Sequence, residues 1–219
     1  LDEVRRFSLR LARSLVDDRD AKLVVVACNT ATAAALDELR AALDVPVVGV
    51  IDAGVRAVVS ATRNGHVGVI GTVGTIGSGA YQRAVADRHV DVKLTCAACP
   101  GFVEFVERGE TASDQVAVLA QRLLAPVIDA DVDALLLGCT HYPFLARTIS
   151  DVVGRQVVLV SSADETAFQV RAMLHGSDAA APADRVGTHR FASSGDTAWF
   201  RDLGQRLLGP ELDVVETWG

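Results

Sequence analysis

Long apolar runs, clustered cysteines and basic tracts are what this 219-residue chain lacks. No stretch approaches the roughly 20 continuous apolar residues that span a bilayer, so no membrane-spanning helix is expected. Residues 1–13 carry charges among their apolar positions, whereas an export signal needs an uninterrupted apolar stretch. The chain starts with Leu1 rather than Met, so position 1 is not expected to be the natural start. Four cysteines are too few for a disulfide scaffold, and without an export signal they read as free thiols in a reducing cytoplasm. Basic residues number 21 against 28 acidic ones, a net charge of −7, with no run of Lys or Arg. Such a chain gains nothing from releasing phosphate counterions, which argues against direct nucleic-acid binding.

Several common site patterns are also missing. Gly71, Gly74, Gly77 and Gly79 punctuate one turn, but without the GxGxxG spacing of a dinucleotide loop or a following Lys-Ser or Lys-Thr. A tight strand–helix turn is the simpler reading. Cys96 and Cys99 form a CxxC without the second pair that structural zinc sites commonly use. His66, His89, His175 and His189 have no metal-ligand spacing and read as surface or cap residues, and Trp199 and Trp218 as packing residues.

What is present is apolar material in strand-sized pieces. Residues 23–27, 45–51, 67–70, 90–95, 134–137 and 157–160 are continuous, mostly valine-rich runs. Strands buried on both faces of a parallel sheet look like this. Helical spacing occupies residues 2–16, 31–43, 78–88, 113–128 and 165–174. Alternation of the two implies βαβ units and a doubly wound α/β architecture. Residues 176–185, GSDAAAPADR, read as a surface loop, before a further strand at 190–193 and a helix at 197–208.

Two stretches echo each other. LVVVACNT at 23–30 and LLLGCTH at 135–141 each run from an apolar strand through a small residue to a cysteine and then to hydrogen-bonding residues. In open α/β sheets ligands sit beyond the carboxyl ends of strands. Cys28 and Cys139 fall at such ends, each ahead of an expected helix whose N-terminus favours a thiolate or a bound carboxylate. A single cysteine is most often a small buried hydrophobe. Two in matched settings, followed by Asn29 and Thr30 in one case and Thr140 and His141 in the other, point to a pair of thiol acid–base groups. Such a pair suits inversion at carbon, which removes a proton from one face and returns one to the other.

These residues carry a family resemblance. ACNTA at 27–31, VGVIGTVGTIGSGAY at 67–81, CPGFVEFVE at 99–107, GCTHYP at 138–143 and SSADETA at 161–167 resemble, in order, the stretches typical of glutamate racemases, within the aspartate/glutamate racemase superfamily. The resemblance implies two pseudo-symmetric doubly wound parallel-sheet domains with the active site in the cleft between them. Residues 1–54 and 169–219 would form the first domain and 55–168 the second. It also implies cofactor-independent interconversion of L- and D-glutamate, without pyridoxal phosphate or metal, supplying D-glutamate for peptidoglycan. Cys28 would serve the face of the D-enantiomer and Cys139 that of the L-enantiomer. Asn29, Thr30 and Thr140 would hold the amino and carboxylate ends of the substrate, with Thr72 and Thr75 lining the site. Glu107 would assist His141 on the second-cysteine side.

Family members open with a strand ending in a Phe-Asp-Ser-Gly-x-Gly-Gly type turn, then a helix, a second strand and a Tyr-Gly loop. The sequence begins at what resembles the next helix, so the first sheet is expected to be N-terminally incomplete, with an uncovered edge and without the aspartate that partners the first cysteine. Glu104, where many members carry an apolar residue or proline, reads as a solvated helix-face charge. The resemblance further raises a homodimer and a DNA gyrase-inhibiting role as partner expectations. A racemase of another amino acid such as aspartate is the alternative activity.

Overall fold

The computed structural model describes residues 1–177, 179–182 and 184–218. Two positions of the expected surface loop at 176–185 therefore lie outside the described residues. The chain divides into two compact units, Leu1–Ala179 and Ala180–Gly219.

The first unit alternates helices and strands as the apolar runs suggest. It opens with α1 (Asp2–Asp17), β1 (Val24–Val26), α2 (Asn29–Ala42), β2 (Val47–Gly49) and α3 (Ile51–Ala61). Next come β3 (His66–Gly71), α4 (Val73–Gly77), α5 (Ala80–Ala86), β4 (Lys93–Ala98), α6 (Phe102–Arg108) and α7 (Asp114–Asp129). The unit closes with β5 (Ala134–Gly138), a 3-10 turn (Tyr142–Leu145), α8 (Ala146–Val153), β6 (Val158–Val160) and α9 (Ala163–His175).

Two parallel sheets result, one on each side of residue 55 in sequence. β1 pairs with β2, and the larger sheet runs in the order β4-β3-β5-β6. Every residue of β5, and all of β3 after His66, is buried. Val67, Val69 and Leu136 pack with Val55 and Val58 of α3 and Tyr81 of α5 in the main core. Burying one such leucine contributes about 1.5–3 kcal/mol. The smaller sheet has its own core, in which Val24, Val26 and Val47 meet Ala35 and Leu39 of α2 and Ala12 of α1.

The structure corrects several expectations. β1 is not buried on both faces, because Val25 is 41% exposed between its buried neighbours. The apolar run at 45–51 does not continue as strand to its end. Ile51 already begins α3, since apolar content alone does not separate a buried helix from a buried strand. The run at 90–95 is displaced: β4 starts at Lys93, which is registered against His66, after a left-handed turn at His89.

The start of β5 is fixed by Asp133. Its carboxylate accepts from the Thr62 hydroxyl at 2.5 Å and from the amides of Arg63 and Asn64 at 2.7 and 2.9 Å. Burial pushes this carboxyl up, but those hydrogen bonds and the neighbouring Arg63 guanidinium outweigh it and hold Asp133 below the usual carboxylate range.

The second unit is a small βαβ motif of β7 (Phe191–Ser193), α10 (Thr197–Leu208) and β8 (Val215–Thr217), with the two strands parallel. Asp196 caps α10 by accepting from the amides of Ala198 and Trp199. Leu212 packs where a side chain at Gly204 would otherwise stand. Trp199 is 49% exposed, so it is not the packing residue that its type suggests.

Candidate functional site

Cys28 ends the segment after β1 and is the N-cap of α2. Its side chain makes no capping hydrogen bond, and the residue is exposed. The next two residues turn inward. Asn29 is 3% exposed, and its Oδ1 accepts from the Tyr81 hydroxyl at 2.6 Å. Thr30 reaches the turn after β3, where its hydroxyl lies 3.0 Å from that of Thr72 and 2.9 Å from that of Thr75. The Thr72 and Thr75 hydroxyls are themselves 3.0 Å apart, so the three close a triangle. Thr72 is the N-cap of α4 and accepts from the Thr75 amide, which fixes the triangle's second-sheet side.

Cys139 lies directly beyond the buried end of β5 and is 8% exposed. The expectation that each cysteine immediately precedes an α-helix holds for Cys28 alone. After Cys139 the chain makes the 3-10 turn at Tyr142–Leu145, and α8 begins only at Ala146. Local amides still face the sulfur. Burial pushes the Cys139 thiol up, the amides of His141 and Tyr142 pull it down, the nearby Cys28 thiol raises it further, and the Thr140 hydroxyl lowers it. The net direction is upward, opposite to what a helix N-terminus alone gives, because desolvation dominates. The influence of Cys28 on Cys139 places the two thiols within electrostatic reach of each other.

On the second side, His141 Nδ1 lies 4.0 Å from Cys139 Sγ and 3.2 Å from Thr140 Oγ1. Its Nε2 lies 3.4 Å from a Glu107 carboxylate oxygen, contributed by α6. With the Nε2 proton directed at Glu107, a neutral imidazole presents Nδ1 as an acceptor toward the thiol or the threonine hydroxyl. Tyr142 secures this loop from below. Its hydroxyl donates to the Cys99 carbonyl at 2.9 Å, and its ring meets Phe102 edge-on at 5.3 Å.

All nine residues singled out in the sequence lie in the first unit. Thr30, Thr72 and Thr75 form one contact group, and Cys139, Thr140, His141 and Glu107 form another. Cys28 is linked to the second group through its effect on Cys139. Asn29 is linked to the larger sheet through Tyr81. Sequence reasoning missed Tyr81 and Tyr142, since no spacing rule announces a contact 52 or 43 residues away. Glu104 is exposed, as expected. Cys96 and Cys99 are driven by burial up to about 11 and about 12, which keeps them protonated and inert. Among the described residues, no group of three or more His, Cys, Asp or Glu side chains is placed to hold a metal ion.

Two thiols at strand ends, with hydroxyls and backbone amides near the second, are groups able to take and give protons. Comparison with known proteins agrees: the family model described as Asp/Glu/Hydantoin racemase matches residues 2–170, and the chain belongs to that family. Within the family, its near relatives carry one name. The glutamate racemase of Acidothermus cellulolyticus is 52% identical over 217 residues, covering 98% of this chain and 81% of the relative. That of Corynebacterium diphtheriae is 49% identical, covering 98% and 80%. Among solved structures, a glutamate racemase isoform from Bacillus anthracis superposes with a TM-score of 0.90 at 36% identity, covering 99% of this chain and 80% of that one. The Francisella tularensis glutamate racemase in complex with D-glutamate also gives 0.90, at 27% identity, covering 100% and 81%.

Proposed function

We propose that this chain is a glutamate racemase, an isomerase that interconverts L- and D-glutamate by two-base proton transfer between Cys28 and Cys139. The observation that carries this reading is the pair of thiols at matched strand ends, within electrostatic reach of each other, in a chain 52% identical to a named glutamate racemase.

In the direction from D-glutamate, the Cys28 thiolate takes the α-proton. The Cα–H bond breaks, an S–H bond forms, and the electron pair spreads into the substrate carboxylate. The Cys139 thiol then gives its proton to the opposite face, so that its S–H bond breaks and a new Cα–H bond forms. The upward push on Cys139 suits this donor role, because it keeps the proton in place until the carbanion needs it. From L-glutamate the roles reverse. His141, backed by Glu107, takes up the Cys139 proton and returns it. Asn29, Thr30, Thr72, Thr75 and Thr140 hold the amino and carboxylate groups of the substrate.

The reading includes the cofactor-independent route that the family resemblance implies, and supply of D-glutamate for peptidoglycan. It also includes the division into residues 1–54 with 169–219 and 55–168, with the substrate in the cleft between them. The separate sheets on either side of residue 55 support the boundary there. The four free thiols fit a cytoplasmic setting. No described helix is long and apolar enough to cross a membrane. Homodimer formation belongs to the same reading and is tested by sedimentation. No structural observation favours a racemase of another amino acid or a gyrase-binding protein.

The test is α-proton exchange of D-glutamate, the enantiomer whose proton Cys28 takes, in deuterated buffer, followed by NMR without added cofactor, for the unsubstituted chain and Cys28→Ala. Exchange that requires Cys28 is expected. Exchange undiminished in the variant, or faster with aspartate than with glutamate, would overturn the reading.

A further inference from the structure

Tyr81 is buried completely, yet it carries a hydroxyl, and a buried hydroxyl costs stability unless it is bonded. Its partner is the side chain of Asn29, the residue directly after the first cysteine and 52 positions away in sequence. An asparagine amide has two orientations, related by a half-turn, that exchange its acceptor oxygen for its donor nitrogen. The 2.6 Å bond from the Tyr81 hydroxyl to Oδ1 selects one of them. Nδ2 is then turned the other way. It has no hydrogen-bond partner among the described residues. It is also not sealed off, since the only described side-chain atom that is both buried and unpaired is Arg88 Nε. The Nδ2 end of Asn29, in the residue directly after Cys28, thus carries two N–H donors that no described protein group takes up.

The other side of Tyr81 meets the second cysteine's strand. Gly138, directly before Cys139, has no side chain, and a Cβ there would fall 3.0 Å from the Tyr81 hydroxyl and 2.7 Å from the Ile70 carbonyl oxygen. One phenol therefore lies against the residue after the first thiol and the residue before the second. Burial, with the nearby Cys96 and Cys139, pushes the phenol well above its ordinary value, so it stays a donor at any working pH.

We propose that Tyr81 is a positioning residue of the racemase site: its hydroxyl locks the Asn29 amide with Nδ2 toward the substrate carboxylate, while its ring spaces the Asn29 and Gly138 segments that carry the two thiols. The inference rests on the racemase reading above. Tyr81 itself touches neither substrate nor reacting proton. Without its hydroxyl the amide turns freely, and a carboxylate meets the repelling Oδ1 as readily as the donor.

The experiment is steady-state racemisation in both directions for the full chain, Tyr81→Phe, Asn29→Ala and the double variant, with thermal melts of each. Thr148→Val, which removes a buried hydroxyl bonded to the Thr111 carbonyl away from the site, serves as the control for stability alone. Tyr81→Phe is expected to raise KM about tenfold, with a smaller change in kcat, while its melting point falls no further than the control's. Because the two enantiomers have an equilibrium constant of one, kcat/KM should fall by the same factor in both directions. In the Asn29→Ala background the Tyr81 substitution should cost less than twofold more, since its means of action is already gone. Unchanged KM in Tyr81→Phe, or the same loss with and without Asn29, overturns this inference and leaves the racemase reading standing. Absence of racemisation by the unsubstituted chain overturns both, and shows itself before any variant is compared.

Discussion

Cys28 and Cys139 close similar sequence stretches, but they stand in different surroundings. Cys28 is exposed at the N-cap of a 14-residue helix, beside a two-stranded sheet with one face partly open. Cys139 is buried at the end of a wholly buried strand inside a four-stranded sheet, with a 3-10 turn ahead of it and the His141–Glu107 pair beside it. Backbone amides reach Cys139, yet burial decides the direction of its shift. Similar local sequence therefore produces an accessible thiol in one half and a proton-retaining thiol in the other. For a two-base reaction this division is useful, since one base must be free while the other is loaded.

The comparison breaks most visibly if the two thiols are not both needed. Cys28→Ala and Cys139→Ala should each lower turnover by about 10²–10⁴-fold, measured by polarimetry in both directions. A Cys139 variant keeping more than a tenth of the activity would remove the second half from the mechanism. A smaller effect separates the thiols chemically. Iodoacetamide at neutral pH should alkylate Cys28 at least about tenfold faster than Cys139, read by peptide mass spectrometry, because the thiolate is the nucleophile and Cys139 is both covered and held protonated. Equal labelling rates would erase the contrast.

The positions just before the cysteines sharpen it in terms of stability. Gly138→Ala should cost about 1–3 kcal/mol in urea unfolding, because the new methyl meets the Ile70 carbonyl. Ala27→Ser, at the matching and exposed position, should stay within about 0.5 kcal/mol. The smallest expected effect of a substitution at a bonded group is at the far end of β5. Asp133→Asn should lose about 1–2 kcal/mol at neutral pH. Since the folded carboxyl is held below its ordinary value, its contribution is full above about pH 4 and fades as pH falls through the folded value. The gap between wild type and variant should accordingly close in acid, and a gap independent of pH would contradict the hydrogen-bond account.

How much of this was legible in the sequence depended on how local its cause was. The cysteine motifs could be read because strand, thiol and polar neighbours are adjacent in the chain. The parallel sheets followed from the valine runs. The direction of the Cys139 shift was not legible, because a helix N-terminus is a local feature and desolvation is set by everything packed around the sulfur. Tyr81 stood inside a recognisable stretch, but its role depends on a partner 52 residues away. α3 was hidden because a valine-rich helix buried against a sheet has the composition of a strand. Trp199 misled for the opposite reason: residue type favours burial, but the small second unit leaves it half in solvent.

The triangle of Thr30, Thr72 and Thr75 has a consequence of symmetry. Three hydroxyls at mutual distances of 2.9–3.0 Å hold three protons, which can circulate clockwise or anticlockwise. Neither sense is written into the side chains themselves, since each oxygen both gives and accepts. A carboxylate that opens the ring can take its proton contacts from either sense. On the proposed reading, a holder whose proton ring has no fixed sense suits a molecule that arrives as one mirror image and leaves as the other.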